Sequence, residues 1–98
     1  MLTLRFTARI WYWRGPSPWY FVSVPRKQSL ALRGLASVLT YGWGVIPVTA
    51  RVGKTVWTTS LFPRDDLYAV PLRSDVRKVE RLDEGDQIRV ELTTGEPR

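Results

Sequence analysis

The first residues alternate between apolar and polar side chains in a pattern that predicts one long β-strand over residues 2–13. One face of this strand holds Leu2, Leu4, Phe6, Ala8, Ile10 and Tyr12. The other face holds Thr3, Arg5, Thr7, Arg9, Trp11 and Trp13. A period of two is typical of a strand with one buried face, because successive side chains point to opposite sides. A Gly-Pro-Ser-Pro turn follows, and residues 19–24 predict a second strand.

Two later segments predict short helices. Pro25 can begin the first, since it lacks the amide hydrogen that would have no partner there. The apolar side chains with the spacing of one helical face are Leu32, Leu35, Ala36 and Leu39. In the second segment Ser74 is expected to cap a helix, with Asp75 in its first turn. The side chains expected to face the core there are Val76, Val79 and Leu82.

The clearest hairpin spans residues 45–62. Gly53 and Lys54 suit a two-residue turn with Gly first, where a positive φ is needed. That turn sets the register and places the small Ala50 opposite the large Trp57. The other expected pairs are Val52 with Thr55, Val48 with Thr59 and Ile46 with Leu61.

Two further strands are predicted, over residues 67–72 and 87–93, which gives the order β β α β β β α β. The predicted fold is therefore mainly β with two short helices. Since a flat open sheet leaves its edges exposed, we expect a six-stranded closed or double-split β-barrel capped by the helices. The 98 residues suit one domain, which we place at residues 1–93, with a disordered tail over 94–98.

The chain contains no Cys and no His. Disulfides, thiolate nucleophiles and zinc-finger ligand sets are therefore excluded, as is the commonest general acid–base. We expect no catalytic residue, no cofactor and no metal. The longest early apolar run, residues 10–13, lies between Arg9 and Arg14 and is too short for a signal core or a membrane span. We therefore expect a cytoplasmic protein without a membrane partner.

The charge is distributed unevenly along the chain. Residues 1–63 hold eight Lys or Arg and no Asp or Glu, whereas residues 64–98 hold seven basic and nine acidic side chains. Residues 1–63 therefore carry +8 and residues 64–98 carry −2 of the total net charge of +6, which predicts a positive field for an anionic partner. The alternative is that the acidic segment folds back and neutralises the basic one.

Several segments, taken in order, resemble one family. They are residues 11–13 (Trp-Tyr-Trp), 19–25, 41–48, 53–63, 68–72, 75–78 and 85–90. Together they resemble the domain-of-unknown-function family DUF1905 over about residues 4–93. The resemblance implies a bacterial protein with a six-stranded double-split β-barrel, a fold shared with swapped-hairpin DNA-binding regulators and antitoxins. It implies no activity and no functional residues.

The polar face of the first strand is one candidate surface, through Arg5, Arg9, Trp11 and Trp13. Cations that alternate with flat rings suit a nucleic-acid strand, because phosphates pair with Arg and bases stack on Trp. The alternative is that the same rings pack beneath a helix or across an interface between subunits, where Trp and Arg are enriched.

A second candidate is a small-anion site. Thr58 and Ser60 share one face of the predicted hairpin, and Arg77 and Lys78 lie on the second helix. Hydroxyl groups beside a guanidinium group can hold a phosphate or a carboxylate. Trp43, flanked by glycines, can close such a pocket or can plug one end of the barrel. The alternative for the strand and the helix is that both faces are simply solvated.

Asp65 and Asp66 form an adjacent pair of carboxylates, and we interpret them as turn residues. The leading hypothesis for function is a non-catalytic binding or protein-interaction module, with a homo-oligomer or a protein partner. The first alternative is a nucleic-acid-binding protein that uses the basic, Trp-rich residues 1–63. The second is a small-anion carrier or enzyme with a site near Ser60 and Arg77.

Overall fold

The computed structural model describes residues 2–35 and 44–95. Within these ranges the strands are β1 (Thr3–Arg9), β2 (Trp11–Trp13), β3 (Trp19–Ser23), β4 (Ile46–Val52), β5 (Thr55–Arg64), β6 (Leu67–Leu72) and β7 (Gln87–Thr94). The helices are α1 (Arg26–Gly34) and α2 (Ser74–Glu80). The prediction of a mainly β fold with two helices is confirmed. Within the same ranges, neither helix has the length and apolar character that a bilayer crossing requires.

The described strands form one antiparallel sheet in the order β1-β7-β4-β5-β6-β3-β2. Its two end strands, β1 and β2, are consecutive in the chain, so the sheet curls into a half-barrel that remains open. The prediction of six strands in a closed barrel is therefore wrong, because the first strand divides in two. The relation to double-split barrels stays a prediction.

Ile10 is the residue at which the first strand divides. Its N–H donates to the carbonyl of Asp86 at 2.8 Å, and its carbonyl accepts from the N–H of Gly85 at 2.8 Å. The N–H and the carbonyl of Ile10 are thus both hydrogen-bonded to the turn before β7. As a result β1 pairs with β7, whereas β2 pairs with β3, and one extended segment links the two ends of the sheet.

The core fills the concave side of the curled sheet. Its largest fully buried apolar side chains are Ile10, Val22, Val24, Leu32, Ile46, Leu61, Val70, Leu72, Val90 and Leu92. The predicted hairpin register is confirmed, with Ala50 opposite Trp57 and Ile46 opposite Leu61. On β7 the side chains of Ile88, Val90 and Leu92 are buried as well.

Several predicted details of the helices are wrong. Helix α2 begins at Ser74 with Arg73 as its N-cap and without a side-chain capping bond, so Ser74 lies inside the helix. Val79 is 69% exposed, because this helix of seven residues packs on the core through Val76 alone. Leu35 is exposed because α1 ends at Gly34, and the rest of its predicted apolar face, Ala36 and Leu39, lies outside the described residues.

Thr94, predicted to begin a disordered tail, is instead the buried last residue of β7. Its Oγ1 accepts a hydrogen bond from the N–H of Leu2 at 2.9 Å, and its own N–H donates to the carbonyl of Leu2 at 2.8 Å. The end of β7 is thereby joined to the start of the chain.

Candidate functional site

The convex side of β1, β7 and β4 is polar. Its outward side chains are Thr3, Arg5, Thr7 and Arg9 from β1, Gln87, Arg89, Glu91 and Thr93 from β7, and Thr49 and Arg51 from β4. We call this surface the Arg–Thr face. The register aligns its members, because Arg5 and Arg51 both lie opposite Glu91, one on each side.

Positive charge exceeds negative charge on the Arg–Thr face. Glu91 Oε2 accepts from Arg5 Nε at 2.8 Å and from Arg51 Nη2 at 3.5 Å, so one carboxylate serves two guanidinium groups. Arg9 Nη1 donates to the carbonyl of Gly85 at 3.1 Å. Arg89 has no ion pair with any described residue. Arg5, Arg51, Arg89 and Glu91 line a cleft of about 410 Å³.

The convex side of β2, β3, β6 and the end of β5 is apolar. It contains a cleft of about 260 Å³ lined by Trp11, Trp13, Phe21, Phe62, Pro63, Arg64 and Ala69. We call this the aromatic cleft. The sheet register explains it, because Trp11 lies opposite Phe21 and Phe62 lies opposite the small Ala69. Phe62 is 45% exposed, so part of the cleft wall faces water.

The aromatic side chains of the cleft are held in place by neighbouring groups. The Trp11 indole N–H donates to Ser23 Oγ at 3.0 Å, and the Trp11 ring stacks on Phe21 with 5.0 Å between centroids. The Arg64 guanidinium lies 5.1 Å from the Trp11 ring centroid. Gly15 packs so closely against the Trp13 ring that a Cβ there would clash with it. These contacts hold the aromatic rings of the cleft in defined positions.

The four residues predicted as one surface, Arg5, Arg9, Trp11 and Trp13, all point outward, since the alternation continues through the inward-facing Ile10. They are divided between two sites. Arg5 and Arg9 belong to the Arg–Thr face, whereas both Trp residues line the aromatic cleft. Because Arg9 and Trp11 are two residues apart, about 7 Å along an extended chain, the two sites are adjacent.

The residues predicted to form a small-anion site do not share one cleft. Thr58 lines a cleft between β5 and α2, together with Arg73 and Asp75. Arg77 lines a different cleft and lies over the Tyr20 ring, 3.6 Å from its centroid. The remaining members are half-buried Ser60 on β5 and exposed Lys78 on α2, whereas Trp43 lies outside the described residues.

The alternative that acidic residues neutralise the basic segment is correct in part. Four of the ion pairs among described residues join residues 1–63 to residues 64–98. They are Arg5–Glu91, Arg14–Glu84, Arg33–Asp66 and Arg51–Glu91. Asp65 and Asp66 form the two-residue turn between β5 and β6, as predicted, and both have positive φ.

Sequence reasoning missed most of the residues that complete the two sites. The missed members are Phe21, Ser23, Arg51, Phe62, Pro63, Arg64, Ala69, Arg89 and Glu91. Arg51 could have been identified from the sequence, because the correctly predicted hairpin places it on the outward side. The others required the sheet order, which brings β3 beside β2 and β7 beside β1.

Comparison with known proteins gives a family but no activity. The family model described as "Domain of unknown function (DUF1905)" matches residues 6–92. This range includes every residue that lines the aromatic cleft and all of the Arg–Thr face except Thr3, Arg5 and Thr93. No curated protein sequence matches the chain.

Proposed function

Because the chain belongs to the DUF1905 family, whose description names no activity, we propose from its surface that it is a non-catalytic binding module that holds a flat ring of a larger ligand in the aromatic cleft. The supporting observation is that four aromatic side chains from three strands converge on the convex side, away from the core. Apolar concave surfaces of this kind are typical of binding sites.

The size and the geometry of the cleft favour a ring as the occupant. At about 260 Å³ the cleft lies just below the usual range of small-molecule pockets, so it suits one or two rings better than a whole drug-sized ligand. The ring planes of Trp11 and Phe21 are inclined by only 24°. A further flat group can stack beside two rings in this arrangement.

The chemistry of the lining favours binding over catalysis. Arg64 is the only ionisable residue among those that line the cleft. A guanidinium group stays protonated at neutral pH, so it does not act there as a general acid or base. It does offer hydrogen-bond donors and a flat cationic surface to a ligand that already stacks on Trp11.

The test is an NMR titration of the full chain with adenosine, thymidine and p-cresol as ring probes. We expect the indole N–H resonances of Trp11 and Trp13 to shift in a saturable way. Phe62→Ala removes one exposed wall of the cleft and should abolish these shifts, whereas Val56→Ala removes an exposed apolar side chain elsewhere and should preserve them. The proposal fails if no probe moves either indole resonance.

A second copy of the chain is the competing occupant, because Trp19 and Phe62 are both exposed on this side of the sheet. Light scattering after size exclusion distinguishes the two cases. A dimer that Phe62→Ala converts to a monomer would show that the cleft is a subunit interface and would contradict the ligand proposal. A monomer that still binds the ring probes would support it. The small-anion hypothesis stays a prediction.

A further inference from the structure

We infer that the ligand is a single-stranded nucleic acid whose bases stack in the aromatic cleft while its phosphates follow the Arg–Thr face. This inference rests on the proposed function and names its ligand. The observation behind it is the order of outward side chains along the segment that joins the two ends of the sheet. Arg5 and Arg9 on β1 lead directly to Trp11 and Trp13 on β2.

The charge of the Arg–Thr face suits a polyanion. Its four guanidinium groups, on Arg5, Arg9, Arg51 and Arg89, are opposed by the single carboxylate of Glu91, which leaves three positive charges in excess. The side chains of Arg5 and Arg51 remain 71% and 52% exposed despite their ion pairs. Guanidinium groups bind phosphates bidentately, and threonine hydroxyls add contacts to phosphate oxygens.

The spacing allows one strand to use both sites. Alternate residues of a β-strand lie about 7 Å apart, so Arg9 and Trp11 are separated by a distance that one extended nucleotide covers. Arg5 is about 13 Å from Arg9 by the same rise, which leaves Thr7 between them. Phosphates on the Arg–Thr face and a base in the aromatic cleft are therefore compatible with one continuous chain.

A single strand fits these sites better than a duplex or a peptide. In a duplex the bases stack on each other and cannot enter a cleft of aromatic side chains without unpairing. A proline-rich peptide would also suit an aromatic groove, but it would leave the excess arginines without a role. Charge complementarity thus favours a nucleic acid, in agreement with the net charge of +6.

The test is fluorescence anisotropy with a labelled oligothymidine of about 15 nucleotides, which is long enough for the usual site of one single-strand-binding domain. We expect log K to fall linearly with log salt, with a slope of about −2 to −3 for three or four neutralised phosphates. Arg89→Gln should weaken binding at low salt and reduce the slope by about 0.7. Arg26→Gln removes the same charge from the exposed start of α1 and should change neither value.

A second pair of variants tests the aromatic cleft. Phe62→Ala should weaken oligothymidine binding about tenfold with an unchanged salt slope, since stacking involves no counterion release. Val56→Ala should bind like the unchanged protein. A labelled duplex of the same length should bind more weakly than the single strand, because its bases are not free to stack.

The possible failures separate this inference from the proposed function. If oligothymidine does not bind at low salt while ring probes still shift the Trp11 and Trp13 indoles, the nucleic-acid inference is overturned and the binding module stands. The same holds if a proline-rich peptide binds instead, without salt dependence. If Arg26→Gln weakens binding as much as Arg89→Gln, only net charge matters and the Arg–Thr face is not the site.

Discussion

Ser29 joins α1 to β6 and to the residue that follows β3 through a single buried hydroxyl group. Its Oγ donates to the carbonyl of Val24 at 2.8 Å and accepts from the N–H of Tyr68 at 3.1 Å. Ser29→Ala leaves the buried Tyr68 N–H without this acceptor. We expect the free energy of unfolding to fall by about 1 to 3 kcal/mol, the usual effect of an unsatisfied buried group. Urea denaturation measures it.

Ser74 provides the matched control for this residue-scale prediction. It is exposed at the start of α2, and no hydrogen bond of its side chain to a described residue is present. Ser74→Ala should therefore change the free energy of unfolding by less than about 0.5 kcal/mol. A loss as large as that of Ser29→Ala would show that Ser74 does cap the helix.

At the scale of elements, local turn chemistry was predictable and long-range pairing was not. The register of the β4–β5 hairpin follows from the two-residue turn at Gly53 and Lys54, so the sequence alone predicts it correctly. The break at Ile10 depends on backbone bonds to Gly85 and Asp86, more than seventy residues further on. No periodicity within residues 2–13 reveals a partner at that distance.

Glu80 and Gly53 are coupled across the end of the β4–β5 hairpin. Gly53 has φ +60°, which side chains rarely adopt, and a Cβ there would also clash with the Glu80 carboxylate, so Gly53→Ala should cost about 1 to 3 kcal/mol. Glu80→Ala removes an acceptor of the Lys54 N–H and the Thr55 hydroxyl and should cost about 1 kcal/mol. In the double variant the clash is absent, so the two losses should not add. Strict additivity in thermal unfolding would contradict this contact.

The β5–β6 turn offers a stabilising substitution. Asp65 and Asp66 have φ of 51° and 67°, a left-handed conformation that Gly adopts without strain. Asp66→Gly should raise the free energy of unfolding by about 0.5 kcal/mol, since relief of strain exceeds the added chain entropy. It also removes the exposed 3.9 Å ion pair with Arg33, which contributes little. A measured loss of stability would mean that this ion pair matters more than the turn conformation.

At the scale of the whole molecule, the segment through β1 and β2 contributes outward side chains to both the Arg–Thr face and the aromatic cleft. Its outward residues could be identified from the sequence, because they alternate in one continuous strand. Their partners could not, since Arg89 and Phe21 reach the same surfaces only through the order of the sheet. The same strand order places acidic side chains beside the basic residues of positions 1–63. The charge of that segment alone therefore overestimates the positive electrostatic field at the surface.

Glu91 is the residue whose removal should strengthen binding of a nucleic acid. Its carboxylate is shared by Arg5 and Arg51, so Glu91→Gln frees two guanidinium groups and increases the excess charge of the Arg–Thr face by one. We expect oligothymidine to bind several-fold more tightly at low salt, with a slope in log salt steeper by about 0.7. Stability should fall by less than about 1 kcal/mol, because both arginine side chains are largely exposed.

Loss of folded protein lowers the affinity of a specific site, so a gain makes Glu91→Gln a more stringent test than a loss. Asp75→Asn removes one negative charge from α2 and serves as the control for net charge, since Asp75 pairs only with Arg73 among the described residues. If anisotropy shows the same gain for both variants, the protein attracts the strand by overall charge alone. A gain confined to Glu91→Gln requires phosphates to lie beside Arg5 and Arg51.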